Sequence, residues 1–225
     1  MFARFDRMAK QFTRIGREIA IAVKSNGPLP ENNPRLRTVI LNAKGLNMPK
    51  DRIESAIKRA SSKDSGDYEE VVYECYGPYG VAILLETATD NINRTVANIR
   101  AILNRNNGIL AKTGSLDFIF TRKAVFKFLK ESINIDELEL ELIDYGADDV
   151  AISDTGEVYV YTAFPDFGSM QKALEAKEIN VLSAELQRLP NTLVTLTKEQ
   201  EEEVIKLIEK FEQDDDIQVV FHNMK

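Results

Sequence analysis

The hydrophobic pattern of this chain changes from purely helical to mixed close to residue 67. Up to that point apolar residues recur three and four positions apart, which is typical of one face of an α-helix. Beyond it, short alternating runs bounded by Gly, Pro and Asn are interspersed with further helical stretches, as in strands combined with helices. The chain is therefore expected to join a helical N-terminal region to a larger α+β part.

Three helices are predicted in the N-terminal region. The first covers residues 5–24, where apolar residues line one face and cations line the opposite face. The second begins at Pro34, because proline suits the first turn of a helix, and ends near Gly45. The third follows Pro49 and ends before residues 61–67, a polar stretch that is expected to be a linker.

The remaining pattern predicts two α+β units. Residues 124–188 have the order strand, helix, strand, strand, helix, strand, which is the βαββαβ order of a ferredoxin-like unit. Residues 68–121 have the order ββαβ, with the third strand over 115–121, and lack enough elements to cover a sheet. A helix over 198–213 and a strand over 217–221 are expected to complete this second unit.

The fold class predicted from this order is α+β and multidomain. A basic helical domain covers residues 1–66, residues 67–122 and 190–225 form a discontinuous α+β domain, and residues 123–189 form a ferredoxin-like domain inserted in it. The first and last strands of a ferredoxin-like sheet lie side by side. The strands that begin and end the insert should therefore pair antiparallel, and the C-terminal strand should join the other sheet.

Charge is distributed unevenly along the chain, whose 29 basic and 36 acidic residues give a net charge of −7. Residues 1–66 carry 14 Lys and Arg against 6 Asp and Glu, a net charge of +8, and the remainder carries 15 against 30, a net charge of −15. Such asymmetry indicates a basic binding module joined to acidic domains. The alternative is that the basic and acidic parts simply dock on each other.

The cations of the helical region are the candidate nucleic-acid-binding residues. Between residues 34 and 59 there are seven of them, and only Asp51 and Glu54 oppose them. Helices that need only solubility usually mix charges of both signs, so a surface of one sign favours contact with phosphate groups. The candidates are Lys10, Arg14, Arg17, Lys24, Arg35, Arg37, Lys44, Lys50, Arg52, Lys58, Arg59 and Lys63.

The sequence offers little for catalysis, and we expect a protein that is not an enzyme and needs no cofactor or metal. Cys75 is the only cysteine and His222 the only histidine, so neither a disulfide nor a cysteine zinc site is expected. His222 is expected to be structural, since a catalytic role would need distant partners. The three aspartates at 214–216 are expected to form a solvated turn, and residues 89–90 to cap a helix.

The sequence also predicts a cytoplasmic location. No run approaches the roughly 18 apolar residues that a membrane-spanning helix needs. The N-terminal segment is too charged for a secretory signal peptide.

Several short motifs stand out along the chain, beginning with Asn-Pro-Arg-Leu-Arg, and they occupy residues 33–37, 47–58, 76–81, 89–95, 114–115 and 215–223. These motifs resemble those of the YebC/PmpR-type family of probable transcriptional regulatory proteins, whose relatives include mitochondrial translational activators. The resemblance covers nearly the whole chain and implies a three-domain, non-enzymatic, cytoplasmic regulator that associates with nucleic acid. Family members usually begin with a longer basic leader, whereas this chain has only Met-Phe-Ala-Arg at residues 1–4 and contains no Trp.

Three functions are compatible with these observations. A DNA-binding transcriptional regulator, which the resemblance favours, would use the basic helices on duplex phosphates. A ribosome- or RNA-associated translation factor would use the same cations on ribosomal or messenger RNA, because both partners present phosphates. A protein–protein adaptor would instead use the acidic domains, with their net charge of −15, against a basic partner.

Overall fold

The computed structural model describes residues 2–62, 66–131 and 133–225. Three helices come first, pack around a shared apolar core, and confirm the predicted helical region. None of the helices in the described part of the chain is long and apolar enough to cross a membrane. The three helices are α1 (Phe2–Asn26), α2 (Pro34–Gly45) and α3 (Lys50–Ala60).

A buried asparagine joins the end of α1 to the start of α2. The Asn33 side chain is fully buried, and its Oδ1 accepts a hydrogen bond from the backbone N–H of Leu36 at 3.0 Å, which caps α2. Its Nδ2 donates to the carbonyl oxygens of Ala22 at 2.7 Å and Gly27 at 2.8 Å. One side chain therefore satisfies both helix ends, which fixes the angle between the two helices.

A first antiparallel sheet has the strand order β3-β1-β2-β8. Two helices cover one of its faces, where Ile83 and Leu85 pack with Ile99, Leu207 and Phe211, all fully buried. The C-terminal strand pairs with β2, which confirms the prediction that it joins this sheet. The elements are β1 (Glu69–Tyr76), β2 (Ala82–Thr89), α4 (Ile92–Asn104), β3 (Ile109–Leu110), α7 (Lys198–Gln213) and β8 (Ile217–His222).

The third strand of this sheet is not where the sequence predicts it. Residues 113–119 form turns, and the short strand β3 lies before them. The cause is Glu74, whose buried carboxylate accepts hydrogen bonds from the backbone N–H groups of Gly114 and Leu116, both at 2.7 Å. Because a carboxylate already satisfies these donors, the segment is held as a turn instead of extending a strand ladder.

A second antiparallel sheet has the strand order β5-β6-β4-β7. Its first and last strands in the chain pair antiparallel, from Phe120 opposite Pro190 to Phe128 opposite Val181, as predicted. Two helices pack on one face, over a core that contains the fully buried Phe126. The elements are β4 (Phe120–Leu129), α5 (Ile135–Ile143), β5 (Ala147–Ile152), β6 (Glu157–Ala163), α6 (Phe167–Ala176) and β7 (Val181–Pro190).

Helix α2 lies along the outer edge of the second sheet, against β7. The Asn42 side chain pairs with the backbone of Ala184, accepting from its N–H at 2.8 Å and donating to its carbonyl at 2.9 Å. Gly45 comes so close to β7 that a Cβ atom there would lie 2.2 Å from the carbonyl oxygen of Leu182. The helical region is therefore in direct contact with an edge strand whose backbone groups would otherwise face solvent.

Candidate nucleic-acid interface

Arg17, one of the predicted phosphate-binding residues, points from α1 into the first sheet. Its guanidinium donates to the Asp216 carboxylate at 2.8 Å and to the carbonyl of Ala88 at 2.6 Å. It also lies over the Tyr68 ring, 5.1 Å from the centroid, and its side chain is only 14% exposed. This position corrects the expectation that Arg17 is free for nucleic acid, because its charge is already balanced by a buried carboxylate.

Lys10 and Arg14 contact the end of α7. Their side chains donate to the same carbonyl oxygen, that of Glu212, at 3.5 Å and 3.2 Å. The last carbonyls of a helix carry partial negative charge and attract cations. Burial lowers the pKa of Arg14, while the nearby carboxylates of Glu212 and Asp215 act in the opposite direction. The cationic face of α1 thus docks on an acidic part of the chain, which is the alternative that the charge distribution left open.

Asp216 is the centre of this docking contact. Its side chain is 4% exposed, and its two oxygens accept hydrogen bonds from Arg17 and Arg94 and, at 2.7 Å, from the hydroxyl of Thr95. Burial alone would raise the pKa of Asp216, but the hydrogen bonds from Arg94, Thr95 and Arg17 outweigh it and lower the pKa to about 2. The prediction of a solvated turn at 214–216 is therefore wrong for Asp216.

The segment before α4 positions the Asp216 network. Asn91, and not the preceding Thr89 or Asp90, caps the helix, since its Oδ1 accepts from the N–H of Arg94 at 3.0 Å. Asp90 instead accepts from the Arg94 guanidinium at 2.8 Å. Thr89 accepts from the N–H of Asn91 at 2.9 Å and lies 3.2 Å from the Asp216 carboxylate. Sequence reasoning missed this network, although motifs 89–95 and 215–223 both carry the family resemblance.

Three further predicted cations have local partners. Lys24 forms an ion pair with Asp67, which precedes β1, and Arg35 forms one with Glu70 in β1. Arg37 donates to the carbonyl oxygens of residues 30 and 31 at 2.8 and 3.0 Å. The two ion pairs join the helical region to the start of the first sheet, whereas the Arg37 contacts stay within the helical region. Exposed ion pairs exchange readily for other anions.

The predicted cations on the outer sides of α2 and α3 are less engaged. Lys44, Lys58 and Arg59 are exposed, and their side chains make no hydrogen bond or ion pair with the residues that the structure describes. Lys50 is 89% exposed and lies 3.6 Å from Glu54 in the same helix. Arg52 lies over the Phe12 ring at 5.7 Å from its centroid. We call these five residues the α2–α3 basic surface.

The structure therefore divides the described candidate residues into three groups: those that hold α1, those with local partners, and those that face outward. Lys10, Arg14 and Arg17 hold α1 against the first sheet, whereas the α2–α3 basic surface faces outward. Lys63 lies outside the described residues. Lys10, Arg14 and Arg17 therefore do not join the α2–α3 basic surface in one continuous face, because they contact the Glu212 carbonyl and the Asp216 carboxylate of the same chain.

The chemistry of the lone cysteine and histidine fits a structural role. Burial, with the nearby Glu74 charge, raises the pKa of the Cys75 thiol to about 12, so little thiolate forms at neutral pH. Burial also lowers the pKa of His222, despite a hydrogen bond to the backbone of Met224. Among the described residues no three His, Cys, Asp or Glu side chains are grouped so that they could hold a metal ion.

The helical region docks on the first sheet through arginine–carboxylate contacts and on the edge of the second through Asn42, which defines a mixed α and β protein with outward-facing cations. The chain belongs to the TACO1/YebC family. The N-terminal domain described for TACO1/YebC proteins matches residues 1–63, and their second and third domain matches residues 68–224.

Individual relatives agree with this assignment. The chain is 60% identical to a protein of Cytophaga hutchinsonii over 98% of this chain and 92% of that one. It is 53% identical to a protein of Parabacteroides distasonis over 100% of this chain and 92% of that one. Both are named probable transcriptional regulatory protein. A crystal structure of a conserved hypothetical protein from Aquifex aeolicus is similar, with a TM-score of 0.82 at 34% identity over 96% of this chain and 90% of that chain.

Proposed function

We propose that this protein is a DNA-binding regulator of gene expression that holds the phosphate backbone with the α2–α3 basic surface. The observation that carries the proposal is the contrast between two groups of cations. Lys10, Arg14 and Arg17 of α1 contact a helix-end carbonyl and a buried carboxylate of the chain, while Lys44, Lys58 and Arg59 are exposed and unpaired among the described residues. Unpaired cations on adjacent helices are available for phosphate without any rearrangement.

The physical basis of such binding is the release of counterions from nucleic acid. Each Lys or Arg that neutralises a phosphate displaces condensed cations, so affinity falls as salt rises. The net charge of −7 opposes long-range attraction to DNA, and we therefore expect binding to be local and strongly dependent on ionic strength. The names of the relatives support regulation of transcription as the process. The proposal implies a cytoplasmic location and requires no cofactor.

The test is charge reversal on this surface. The triple variant Lys44→Glu, Lys58→Glu and Arg59→Glu should weaken binding to duplex DNA and lower the salt slope by roughly one unit for each lost phosphate contact. The matched control reverses three exposed cations elsewhere, Lys172, Lys198 and Lys206, so that both variants have the same net charge. The control should bind nearly as the parent does.

Binding is measured by fluorescence anisotropy at several salt concentrations, with duplex DNA and with ribosomal RNA fragments in parallel. If both triple variants lose the same affinity for duplex DNA, binding depends on net charge alone and the proposed surface is refuted. Tighter binding of the RNA, lost in the same variant, would replace DNA by RNA as the partner and favour a translation factor. Thermal unfolding of each variant checks that exposed substitutions leave the fold intact.

We also propose that residues 123–189 are a ferredoxin-like domain inserted between residues 67–122 and 190–225. The strand order β5-β6-β4-β7 and the two helices on one face support it. The ends of the segment are adjacent, since the N–H of Asn191 donates to the carbonyl of Ile119 at 2.7 Å. A fragment of residues 123–189 should unfold cooperatively on heating, followed by circular dichroism. A fragment without a melting transition would refute the proposed domain.

A further inference from the structure

Helix α5 exposes two large apolar side chains on its outer face. Leu140 is 69% exposed and Ile143 is 56% exposed, and a separation of three residues makes them neighbours on the helix surface. The buried residues Ile135, Leu138 and Leu142 already form the side of α5 that packs on the second sheet. Leu140 lies on the opposite side of the helix and contributes nothing to that core.

The sequence of α5 makes this exposure unusual. Residues 137–142 alternate Glu and Leu, although a helix needs apolar residues only three or four positions apart to cover its core. Leu138 and Leu142 meet that need, and Leu140 is in excess. Glu or Lys would favour the helix as well and would be more soluble there. The position is therefore better explained by a contact outside the chain than by folding.

Carboxylates surround the two exposed apolar side chains. Asp136, Glu137 and Asp144 lie within four residues of Leu140 and form no ion pair with the described residues. Glu141 is paired with Lys177, the residue that follows α6. Tyr145, which follows the end of the helix, is a further exposed apolar side chain at 44%. An apolar centre with a charged rim is the usual composition of a protein-binding surface.

We propose that Leu140 and Ile143, with the acidic rim formed by Asp136, Glu137 and Asp144, are a docking surface for a basic amphipathic helix of a partner protein. A ridge of residues three apart fits between apolar side chains spaced at i and i+4 on a facing helix. Charge complementarity selects Lys and Arg beside that apolar stripe. The inference is independent of the proposed DNA binding, which involves cations on other helices.

A second copy of this chain does not meet these requirements through its basic helices. Helix α3 carries cations, but its apolar residues Ile53 and Ala60 are buried in its own helical core. Helix α2 likewise buries Leu36 and Ala43. Helix α1 buries Ile15, Ile19 and Val23 in the same core. We therefore assign the complementary stripe of apolar and basic residues to a different protein.

The test uses the full chain and two synthetic peptides. One is an amphipathic helix of Leu and Lys with one apolar face, and the other has the same composition in a scrambled order without such a face. Fluorescence anisotropy should show the parent binding the amphipathic peptide at least about tenfold more tightly than the scrambled one. The double variant Leu140→Gln and Ile143→Gln should lose this preference.

A matched control replaces two apolar residues of comparable exposure on the first sheet and its neighbouring loop, Ile109→Gln (63% exposed) and Leu193→Gln (51% exposed). The control should keep the preference for the amphipathic peptide. Replacing Asp136, Glu137 and Asp144 by their amides should reduce the salt dependence of peptide binding while leaving a residual preference. Unchanged thermal unfolding confirms that each variant folds.

Three results would overturn the proposal. Equal affinity of the parent for both peptides would show that only net charge attracts them. Equal loss of binding in the α5 variant and the control variant would show that no particular surface is used. A dimer of the parent in analytical ultracentrifugation that the α5 variant abolishes would assign the surface to self-association instead.

Discussion

Replacing Asp216 by Asn should destabilise the whole chain, because this carboxylate balances two arginines. The variant keeps the size of the side chain and removes its charge. Arg17, whose side chain is 14% exposed, then remains in a mostly buried position without a counter-charge. Arg94 is 48% exposed and still has Asp90, so it contributes less to the loss.

Two contributions set the expected loss in the free energy of unfolding. A pKa lowered from 3.8 to about 2 corresponds to roughly 2 kcal/mol of stabilisation at neutral pH. Removing one partner of a buried ion pair typically costs about 3–5 kcal/mol. We expect a loss of about 3 kcal/mol, and for a chain of this size each kcal/mol lowers the melting temperature by roughly 2–4 °C. The melting temperature should therefore fall by about 6–12 °C at pH 7.

The assay is thermal unfolding followed by circular dichroism, with Asp215→Asn as the matched control. Asp215 is the exposed neighbour of Asp216, so its variant should melt within about 2 °C of the parent. Because the folded pKa of Asp216 is below its unfolded value, its stabilisation is complete above about pH 4 and disappears as the pH falls toward 2. The difference between parent and Asp216→Asn should shrink over that range. Equal melting of the two variants at pH 7 would refute the reasoning.

Three further predictions concern the contacts between the parts of the chain. Burial of Glu18 on α1, reinforced by the charge of Glu185, raises the pKa of Glu18 to about 7. The free energy of unfolding of the parent, measured in urea, should therefore decline by at most about 3 kcal/mol between about pH 5 and 7. The Glu18→Gln variant should not show this decline. Gly45→Ala should lower the melting temperature, because its Cβ would meet the backbone of β7, whereas Gly16→Ala, whose Cβ meets nothing within 4 Å, should raise it slightly. Limited proteolysis should cut first at residues 61–66 and leave a stable acidic fragment from about residue 67.

Each of these predictions has a clear contrary outcome. Parallel pH profiles for the parent and Glu18→Gln would mean that Glu18 is well solvated. Equal melting of the two alanine variants would mean that α2 can move away from β7 at no cost. If mass spectrometry shows that the chain is degraded and no acidic fragment accumulates, the helical region is not separable.

Local signals in the sequence were sufficient for most elements but not for the site. Pro34 and the apolar spacing around it predicted α2, since proline and periodicity act over a few residues. The burial of Asp216 depends on Arg17, which lies 199 residues away in the chain. A run of three aspartates gives no sign of such a partner. The strand predicted at 115–121 is wrong for the same reason. Glu74, which lies in β1, accepts hydrogen bonds from the backbone of Gly114 and Leu116 and holds the segment as a turn.

The candidate site shows the same limit. Composition identifies a set of cations, but Arg17 and Lys58 are the same kind of signal in the sequence and have opposite environments in the structure. Only tertiary contacts separate an arginine that joins two parts of the chain from a lysine that faces solvent. Patterns of charge therefore predict that a binding surface exists more reliably than which residues form it.

The contact of Asn42 with β7 has a consequence for self-association. By accepting from one N–H and donating to one carbonyl of Ala184, the side chain imitates the hydrogen bonds of a neighbouring strand. The helical region thereby protects an edge that could otherwise recruit the same edge of another molecule. A chain deprived of α2 would expose β7 as a template for intermolecular pairing, so the helices that carry the cations also cover an edge where the acidic part could aggregate.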